Sequence, residues 1–472
     1  MLPLFTILAI AASAFTSIYL FNALFLFCLA LKKGKTTNYK IPKTWPYITI
    51  QIPVYNELLV DRVLKNIIDL DYPKEKLQIQ ILDDSSIQSM VNHERKLVNT
   101  YKRKGYFIQL LHRDNRKGYK AGALNNGLSK AEGELIAIVD VDTTLPTDFL
   151  RKTIPYFYDN AKLAFVQTRF EHANRWSNWI TRANAVAMDF YYLIEQPVRS
   201  AHNLLPDFSG SAGLLRRSIL EDYRWDEHVL AEDVELSRRV QIDGWQSLYL
   251  EDIVCTMELP LSLIAFKRQQ ERWFAGWIQT LKKLWKKILR GKLSTVQKVE
   301  SLLLLSSPLT YLFAVASILF WALAAIYELN VTKTLWIDNP LLSIFMLISS
   351  TGPIFSALLS ILKSRSNIRD KLLSIPLTIL LMTSTIISGT KAVVKGFLFN
   401  DLTFERTERS LERLESKQCV TLSDSVKNNF LEIIAAIGLG SAILLFIFNN
   451  EFASAMPLSF ILISLSLHIF EN

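Results

Sequence analysis

Long apolar runs with few or no charged residues flank a central polar stretch of the chain. The first run covers residues 2–31 and ends at a basic cluster that begins with Lys32. About 20 apolar residues are enough to cross the hydrocarbon core of a bilayer. We therefore predict five transmembrane helices, in the runs 2–31, 302–327, 341–362, 430–448 and 452–470.

The basic residues between the runs predict the topology. Lys32 and its neighbours follow the first run, so the positive-inside rule places the N-terminus outside and the polar stretch in the cytoplasm. A cleaved signal peptide is the alternative, but no basic region precedes the run and the run is too long. The chain is thus predicted to be a multi-pass integral membrane protein, with the cell membrane as the expected location.

The segment 372–399 is harder to assign. It begins with apolar residues, but Lys391 and Lys395 interrupt it and both of its flanks are basic. We expect it to lie in the cytoplasmic interface, or to enter the membrane and return, which leaves the C-terminus in the cytoplasm. A sixth crossing is the alternative.

An amphipathic helix is predicted over 279–298. Its apolar side chains recur at helical spacing at Leu281, Leu284, Trp285, Ile288 and Leu289, and lysines occupy the other positions. Such a pattern is typical of a helix that lies on the inner leaflet, and a soluble surface helix is the alternative.

Between the first run and this helix, short apolar segments alternate with helical ones. Strands are predicted at 48–52, 77–82, 108–111 and 135–139, and helices at 61–70, 93–104 and 119–130. This alternation predicts an α/β fold with a mainly parallel sheet. The predicted organisation is a transmembrane helix (1–31), a cytoplasmic domain (32–278), the interfacial helix (279–298) and a membrane region (299–472).

Charge and cysteine content restrict the partners. The 472 residues carry a formal net charge of +9, and half of them are hydrophobic. Because Lys and Arg cluster beside apolar segments, we expect contact with membrane lipids or an anionic substrate rather than with nucleic acid. The three cysteines, Cys28, Cys255 and Cys419, are too far apart for a metal motif or a disulfide framework, which suggests a reducing compartment.

Acidic residues follow the predicted strands, where ligands of parallel sheets bind. Asp83 and Asp84 follow the second strand, and Asp140 and Asp142 follow the fourth. Two carboxylates two residues apart can both reach one hard divalent cation, so Mg²⁺ or Mn²⁺ is the predicted cofactor. A D-x-D string is common by chance, and its place after a strand is what favours a metal site.

Three further segments carry candidate chemistry. The basic, glycine-containing loop 113–125 opens a helix and could hold a diphosphate, or be a solvated loop. Glu232 and Asp233 start another helix, where a carboxylate is either a general base or only a cap. Arg272 shares a helix face with Gln269 and Trp273, and the alternative for this face is anchoring at the membrane.

Together these motifs resemble the processive family 2 glycosyltransferases, such as cellulose, mannan and hyaluronan synthases. The resemblance covers about 46–409, and the plant glucomannan synthases are closest in layout. It rests on the order and spacing of seven motifs: Pro53–Glu57, Asp83-Asp84, Lys120–Gly122, Asp140–Asp142, Phe208–Gly213, Glu232-Asp233 and Gln269–Trp273.

The resemblance implies a GT-A-type, Rossmann-like nucleotide-sugar domain and a role for each matching residue. Asp233 would deprotonate the acceptor hydroxyl, with Glu232 and Arg272 as the other catalytic residues. The metal would be held by Asp142, with Asp140 beside it. Residues implied for the donor are Pro53, Tyr55, Glu57, Asp83 (nucleotide base), Lys120 (phosphates), Asp140, Gln269 and Arg272. Those implied for the acceptor are Phe208, Ser209, Gly210 and Trp273.

The loop 400–426 resembles a gating loop through Phe404, Thr407 and Arg409, although Arg406 replaces the usual valine. A second departure is Ala231, where a threonine normally precedes the acidic pair.

The implied activity is inverting transfer of a hexose from a UDP- or GDP-linked donor to a growing β-linked polysaccharide, with passage of the product across the membrane. The alternative is a membrane enzyme that transfers one sugar to a polyprenyl phosphate, ceramide or diacylglycerol. Both share the donor residues, and the sugar stays open between glucose, mannose and N-acetylglucosamine.

Overall fold

The computed structural model describes residues 4–34, 39–326, 340–364, 370 and 372–399, and isolated positions between 436 and 466. It shows a central sheet covered by helices on both faces, with long apolar helices at one side. The predicted transmembrane helices 430–448 and 452–470 and the loop 400–426 lie outside the described residues, apart from those isolated positions.

Seven strands form one sheet in the order β3-β2-β1-β4-β6-β5-β7. Four of the six pairings are parallel, and the two that involve β6 are antiparallel. The strands are β1 (Ile48–Val54), β2 (Leu77–Asp83), β3 (Phe107–His112), β4 (Leu135–Ile138), β5 (Leu163–His172), β6 (Gly213–Arg216) and β7 (Gln246–Met257). The prediction of a mainly parallel sheet is therefore confirmed, and each of the four predicted strands is present.

Strands β1 and β2 are buried on both faces, but the two faces differ in character. Isoleucines such as Ile50 point to one apolar layer of the core. On the other face, Thr49 Oγ1 donates to Gln78 Oε1 at 2.6 Å, and Gln51 Nε2 donates to Gln80 Oε1 at 3.0 Å. The alternating sequence thus provides buried polar side chains that pair across the two strands in register.

One long helix precedes the sheet, and shorter helices connect its strands. The predicted helices 61–70, 93–104 and 119–130 are observed with slightly different ends, as α2, α3 and α4. The helices are α1 (Leu4–Ala30), α2 (Val60–Ile68), α3 (Gln88–Arg103), α4 (Tyr119–Leu128), α5 (Phe149–Thr153), α6 (Pro155–Asp159), α7 (Trp179–Phe190), α8 (Gln196–Ala201), α9 (Arg217–Tyr223) and α10 (Glu232–Ile242).

The chain after β7 contributes the other described helices. They are α11 (Leu263–Arg290), α12 (Thr295–Ser306), α13 (Leu309–Ile326), α14 (Pro340–Lys363), α15 (Ile375–Thr383) and α16 (Ile386–Leu398). Among the described residues, α1 and α14 are each long and apolar enough to cross a membrane, and they pack against each other. Both were predicted as transmembrane segments.

Two predicted segments are bent. The run 302–327 is divided between α12 and α13, which meet at an angle of 65°. Pro308 lies at the break, where it has no backbone N–H to continue the helix. The segment 372–399 forms α15 and α16 with a bend of 47°, a shape that suits either a broken span or a segment that enters and returns.

The predicted interfacial helix differs from the observed one. Helix α11 starts at Leu263 and continues without a break through Arg290, so 279–290 is its last part rather than a separate element. Leu284 and Ile288, predicted to face lipid, are buried in a cluster with Leu305 of α12. Hydrophobic periodicity shows which side chains share a face, but it cannot distinguish lipid from protein as the partner of that face.

Candidate active site

A cavity of about 360 Å³ lies at the carboxyl ends of the parallel strands. Chain segments that are far apart in sequence meet there, including the N-terminal turn of α10 and the first turns of α11. Every predicted site residue in the described part of the chain except Asp83 lines this cavity: Pro53, Tyr55, Glu57, Lys120, Asp140, Asp142, Phe208, Ser209, Gly210, Glu232, Asp233, Gln269, Arg272 and Trp273.

Lys120 connects three parts of the cavity wall. Its Nζ donates to Asp140 Oδ1 at 2.7 Å and to the carbonyl oxygen of Gly210 at 2.9 Å. Burial alone would lower the pKa of Lys120, but Asp140, Glu232 and Asp233 outweigh burial and raise it. The lysine is therefore a fixed positive charge in the cavity, suited to an anionic ligand.

Asp233, at the start of α10, lines the same cavity. Burial raises the pKa of its carboxyl to about 7; the adjacent Glu232 carboxylate adds to the effect and Lys120 opposes it. Burial likewise raises the pKa of Glu232. A carboxyl group with a pKa near neutral pH is well suited to accept a proton in a reaction.

The turn that contains Gly210 lies against Asp233. Gly210 has a φ of +79°, and a Cβ on it would lie 2.9 Å from Asp233 Oδ2. A larger residue is excluded both by this backbone conformation and by the carboxylate. Behind the turn, the Phe208 N–H donates to Ser237 Oγ at 3.0 Å, and Ser237 Oγ donates to the Asp233 carbonyl oxygen at 2.7 Å.

Asp140 and Asp142 fit a divalent cation. Both line the cavity, and the Asp140 side chain is 30% exposed. Among the described residues, no group of three or more His, Cys, Asp or Glu side chains could hold a metal ion by itself. Because Mg²⁺ is commonly held by one or two carboxylates together with substrate phosphates, two aspartates in an open cavity are a suitable donor set.

The structure separates Asp83 from its neighbour Asp84. The Asp83 carboxylate is fully buried and accepts hydrogen bonds from the Ser85 N–H at 2.7 Å and from His112 Nδ1 at 2.7 Å. Asp84 lines the cavity and is held by Arg113 through two nitrogens, at 2.7 and 2.6 Å. Asp84 thus occupies the wall position that the sequence assigns to Asp83, and a contact of Asp83 with the base stays a prediction.

Helix α11 presents Gln269, Arg272 and Trp273 to the cavity, as their spacing predicts. The helix is capped by Ser262, whose side chain accepts from the Ala265 N–H. The cavity therefore has polar groups from the sheet on one side and an amide, a guanidinium and an indole on the other.

Sequence reasoning missed several residues of the wall. Arg116 lies over the ring of Tyr55, with 3.4 Å between its Cζ and the ring centroid. Tyr191 and Tyr192 also line the cavity, from a π-helical turn that follows α7. The basic loop 113–125 was a signal for Arg116. A π-helical turn such as the one that carries Tyr191 and Tyr192 leaves no clear pattern in a sequence, although such turns are frequent at functional sites. The predicted gating residues Phe404, Thr407 and Arg409 lie outside the described residues.

Part of the chain matches a known protein family. Residues 135–360, just under half of the chain, match the model of the glycosyl transferase family group 2. This part of the chain is therefore similar to family 2 glycosyltransferases. The match begins at β4, directly before Asp140 and Asp142, and extends into α14.

Two curated relatives of this chain are plant proteins. Glucomannan 4-beta-mannosyltransferase 1 of Oryza sativa subsp. japonica is 36% identical over 262 residues, which is 54% of this chain and 50% of the rice protein. Glucomannan 4-beta-mannosyltransferase 7 of Arabidopsis thaliana is 34% identical over 254 residues, 53% of this chain and 46% of that protein. The chain thus spans about half the length of the curated relatives it matches.

A solved structure has a similar fold. Mannosyltransferase PcManGT from Pyrobaculum calidifontis, in complex with GDP-Man and Mn²⁺, superposes with a TM-score of 0.56 and 21% sequence identity. The match covers 77% of this chain and all of that one. The predicted GT-A-type fold is therefore confirmed.

Proposed function

We propose that the chain is an inverting glycosyltransferase that moves a hexose from a nucleotide sugar to a growing β-linked polysaccharide of glucan or mannan type. The observation that carries this proposal is the meeting of Lys120, Asp233 and Trp273 in one cavity. A cation for the donor phosphates, a carboxylate with a pKa of about 7 and a flat surface for a sugar ring lie together there. These are the groups that sugar transfer to a hydroxyl requires.

Mannose is the sugar that we propose first. The plant relatives are named as 4-beta-mannosyltransferases that act on glucomannan, and they support a β-linkage to the O4 hydroxyl of the acceptor. A GDP-linked donor is tested before a UDP-linked one.

In the proposed reaction, the acceptor hydroxyl oxygen attacks the anomeric carbon of the donor sugar. The new carbon–oxygen bond forms as the bond to the diphosphate breaks, and the nucleoside diphosphate leaves with the electron pair. Asp233 accepts the hydroxyl proton, and this needs its carboxylate form. Lys120 and Arg272 neutralise the charge that develops on the leaving diphosphate.

Asp140 and Asp142 would hold Mg²⁺ or Mn²⁺ together with the donor phosphates. A bound cation supplies charge neutralisation for the leaving group. The chain's own contribution is to hold the two carboxylates in place, and Lys120 Nζ lies 2.7 Å from Asp140 Oδ1.

We further propose an integral membrane enzyme with a cytoplasmic active site that passes its polymer through the membrane helices. Helices α1 and α14 are apolar and long enough to span, and the basic residues after α1 support a cytoplasmic domain. Helix α11 connects the cavity to the membrane-facing half, because Gln269 and Trp273 line the cavity and the same helix packs on α12 and α16.

The proposal is tested with detergent-purified full chain, labelled nucleotide sugars and a Mn²⁺ titration. High-molecular-weight product from a mannosyl donor, absent in Asp233→Asn, is the expected result. An organic-soluble product with one sugar, formed only when lipid extract is added, would instead support lipid glycosylation.

A further inference from the structure

The backbone just before the turn 208–210 of the cavity wall is strained. Asn203 and Leu205 have φ angles of +57° and +63°, and leucine is rarely found in this left-handed region. Residues 208–210 line the cavity and follow this segment after two positions. Strained backbone persists only where the surrounding structure holds it. The contacts that hold residues 205–207 therefore also help to place the turn.

Arg238 of α10 makes the central contacts to this segment. Its Nη1 donates to the Leu205 carbonyl oxygen at 2.9 Å, and its Nη2 donates to Asp207 Oδ2 at 3.0 Å. Nη1 also donates to Gln241 Oε1 on the same helix at 2.6 Å. Arg238 is 0% exposed and Asp207 is 1% exposed. Because a buried charge without its partner is strongly unfavourable, the guanidinium and the segment hold each other in place.

Two neighbours of Arg238 on α10 extend this contact. Gln241 Nε2 donates to the Pro206 carbonyl oxygen at 2.7 Å, and Ser237 Oγ accepts from the Phe208 N–H at 3.0 Å. Side chains four residues apart, such as Ser237 and Gln241, share one face of a helix. Each of the residues 205–208 is therefore hydrogen bonded to a side chain on this face of α10.

The same helix carries Asp233 in its first turn. Ser237 Oγ donates to the Asp233 carbonyl oxygen at 2.7 Å, and Gly210 lies against the Asp233 carboxylate. One helix thus holds both the proposed base and the turn beside it. A shift of about 1 Å in the position of a reacting group can lower a rate about a hundredfold. A contact that sets the spacing of the turn and Asp233 therefore matters for the reaction.

We propose that Arg238 is a positioning residue, which holds the turn 208–210 beside Asp233 so that the acceptor hydroxyl meets its base. This inference rests on the proposed function and assigns a role in it to a side chain outside the cavity wall. Lys120 and Asp140, proposed for the donor, belong to α4 and the end of β4. Loss of the Arg238 contacts should therefore impair transfer to the acceptor much more than binding of the donor.

A matched pair of substitutions on α10 tests this role in the detergent-purified full chain. Arg238→Lys keeps a positive charge beside Asp207, but an ammonium does not reproduce the geometry of the guanidinium hydrogen bonds. Arg239→Lys is the control, because Arg239 donates to Glu235 Oε2 and to the Arg224 carbonyl oxygen, both at 2.7 Å, rather than to residues 205–208.

Four quantities are measured for each variant with labelled GDP-mannose, or with UDP-glucose if the wild type uses that donor. They are the melting temperature, the donor Kd by calorimetry, the rate of sugar transfer to β-1,4-mannotriose and the rate of donor hydrolysis. The ratio of transfer to hydrolysis is the decisive readout. Partial unfolding lowers both rates equally and leaves this ratio unchanged, whereas a displaced acceptor turn lowers transfer alone.

The expected result for Arg238→Lys is a ratio of transfer to hydrolysis that falls at least about tenfold, with a donor Kd within about twofold of wild type. Arg239→Lys should also lower the melting temperature but keep the wild-type ratio. Ser237→Ala, which removes the acceptor of the Phe208 N–H, should lower the ratio in the same direction. This smaller change decides the question if Arg238→Lys does not fold.

A wild-type ratio in the folded variants of Arg238 and Ser237, or an equal fall of the ratio in Arg239→Lys, would overturn the inference. A wild-type chain that transfers sugar from neither donor would reject the proposed function itself, and the positioning role with it. The two failures are distinguishable because only the second appears in the wild-type protein.

Discussion

Lys120 Nζ and Asp140 Oδ1 lie 2.7 Å apart and form an ion pair in the wall of the cavity. In the proposed reaction, Lys120 would bind a donor phosphate and Asp140 would help to hold a divalent cation. A substitution that removes the Lys120 charge should therefore lower the affinity for the donor rather than the stability of the fold.

Lys120→Met should raise the donor KM by at least about tenfold, since one charge-assisted hydrogen bond to a phosphate is lost. Lys117→Met is the control, because Lys117 is exposed in the same loop. Donor titration by calorimetry measures the difference. Equal donor affinities in the two variants would exclude a phosphate contact for Lys120.

Asp233→Asn should lower kcat by about a hundredfold to ten-thousandfold, the range typical of a lost general base. Donor binding should change little, because the substitution keeps the size of the side chain. Single-turnover kinetics and donor titration separate the two quantities. A variant with kcat within threefold of wild type would eliminate Asp233 as the base.

The pH dependence should follow the same carboxyl. Its pKa is raised to about 7, so it is protonated and inactive below that pH and ionised above it. The value of kcat/KM should rise about tenfold per pH unit up to pH 7 and then level off.

The raised pKa of Asp233 also affects stability. Because the folded protein binds this proton more tightly than the unfolded chain does, the stabilising contribution of Asp233 is present below its unfolded pKa and is lost as the pH rises through about 7. Asp233→Asn should consequently show its largest relative gain in melting temperature at pH 8.

Gly210→Ala and Gly244→Ala form a matched pair. Both glycines have positive φ, +79° and +92°, so each alanine should destabilise the fold by about 1–2 kcal/mol. Only the Gly210 substitution places a methyl group 2.9 Å from Asp233 Oδ2, whereas nothing lies within 4 Å at Gly244. Activity should fall at least about tenfold in Gly210→Ala alone, and equal loss in both would indicate an effect of backbone strain.

A buried ion pair joins α8 to α12, the first helix after α11. Arg199 Nη1 of α8 lies 3.1 Å from Glu300 Oε2 of α12, with side chains 1% and 3% exposed. Glu300→Leu alone should destabilise the protein, because the buried Arg199 guanidinium loses one of its three neighbouring carboxylates and keeps only Glu195 and Asp207. The double variant Arg199→Met with Glu300→Leu should recover most of that loss in thermal melting. A double variant no more stable than the single one would contradict this assignment.

The sequence predicted the strands, and most of the side chains that line the cavity, because both depend on local pattern. The carboxyl ends of parallel strands meet at one edge, so the acidic residues that follow the predicted strands could be expected near one site. The antiparallel β6 could not be predicted in the same way, because its four residues pair with residues that lie 46 or more positions earlier in the chain. The burial of Leu284 depends on where α12 packs, which no periodicity in α11 reveals. Asp84 lines the cavity and Asp83 does not, because adjacent side chains at the end of β2 point in different directions. Two adjacent aspartates in a sequence do not show which of them faces the cavity.

The central claim is that this cavity transfers sugars to a polymer, and product analysis tests it most directly. Purified full chain is incubated with labelled GDP-mannose and Mn²⁺, without added acceptor, beside Asp233→Asn. We predict released GDP and a high-molecular-weight product that a β-mannanase degrades, both absent in the variant. Donor consumption that yields only free mannose or a singly glycosylated lipid, in every metal and donor tested, would contradict the account.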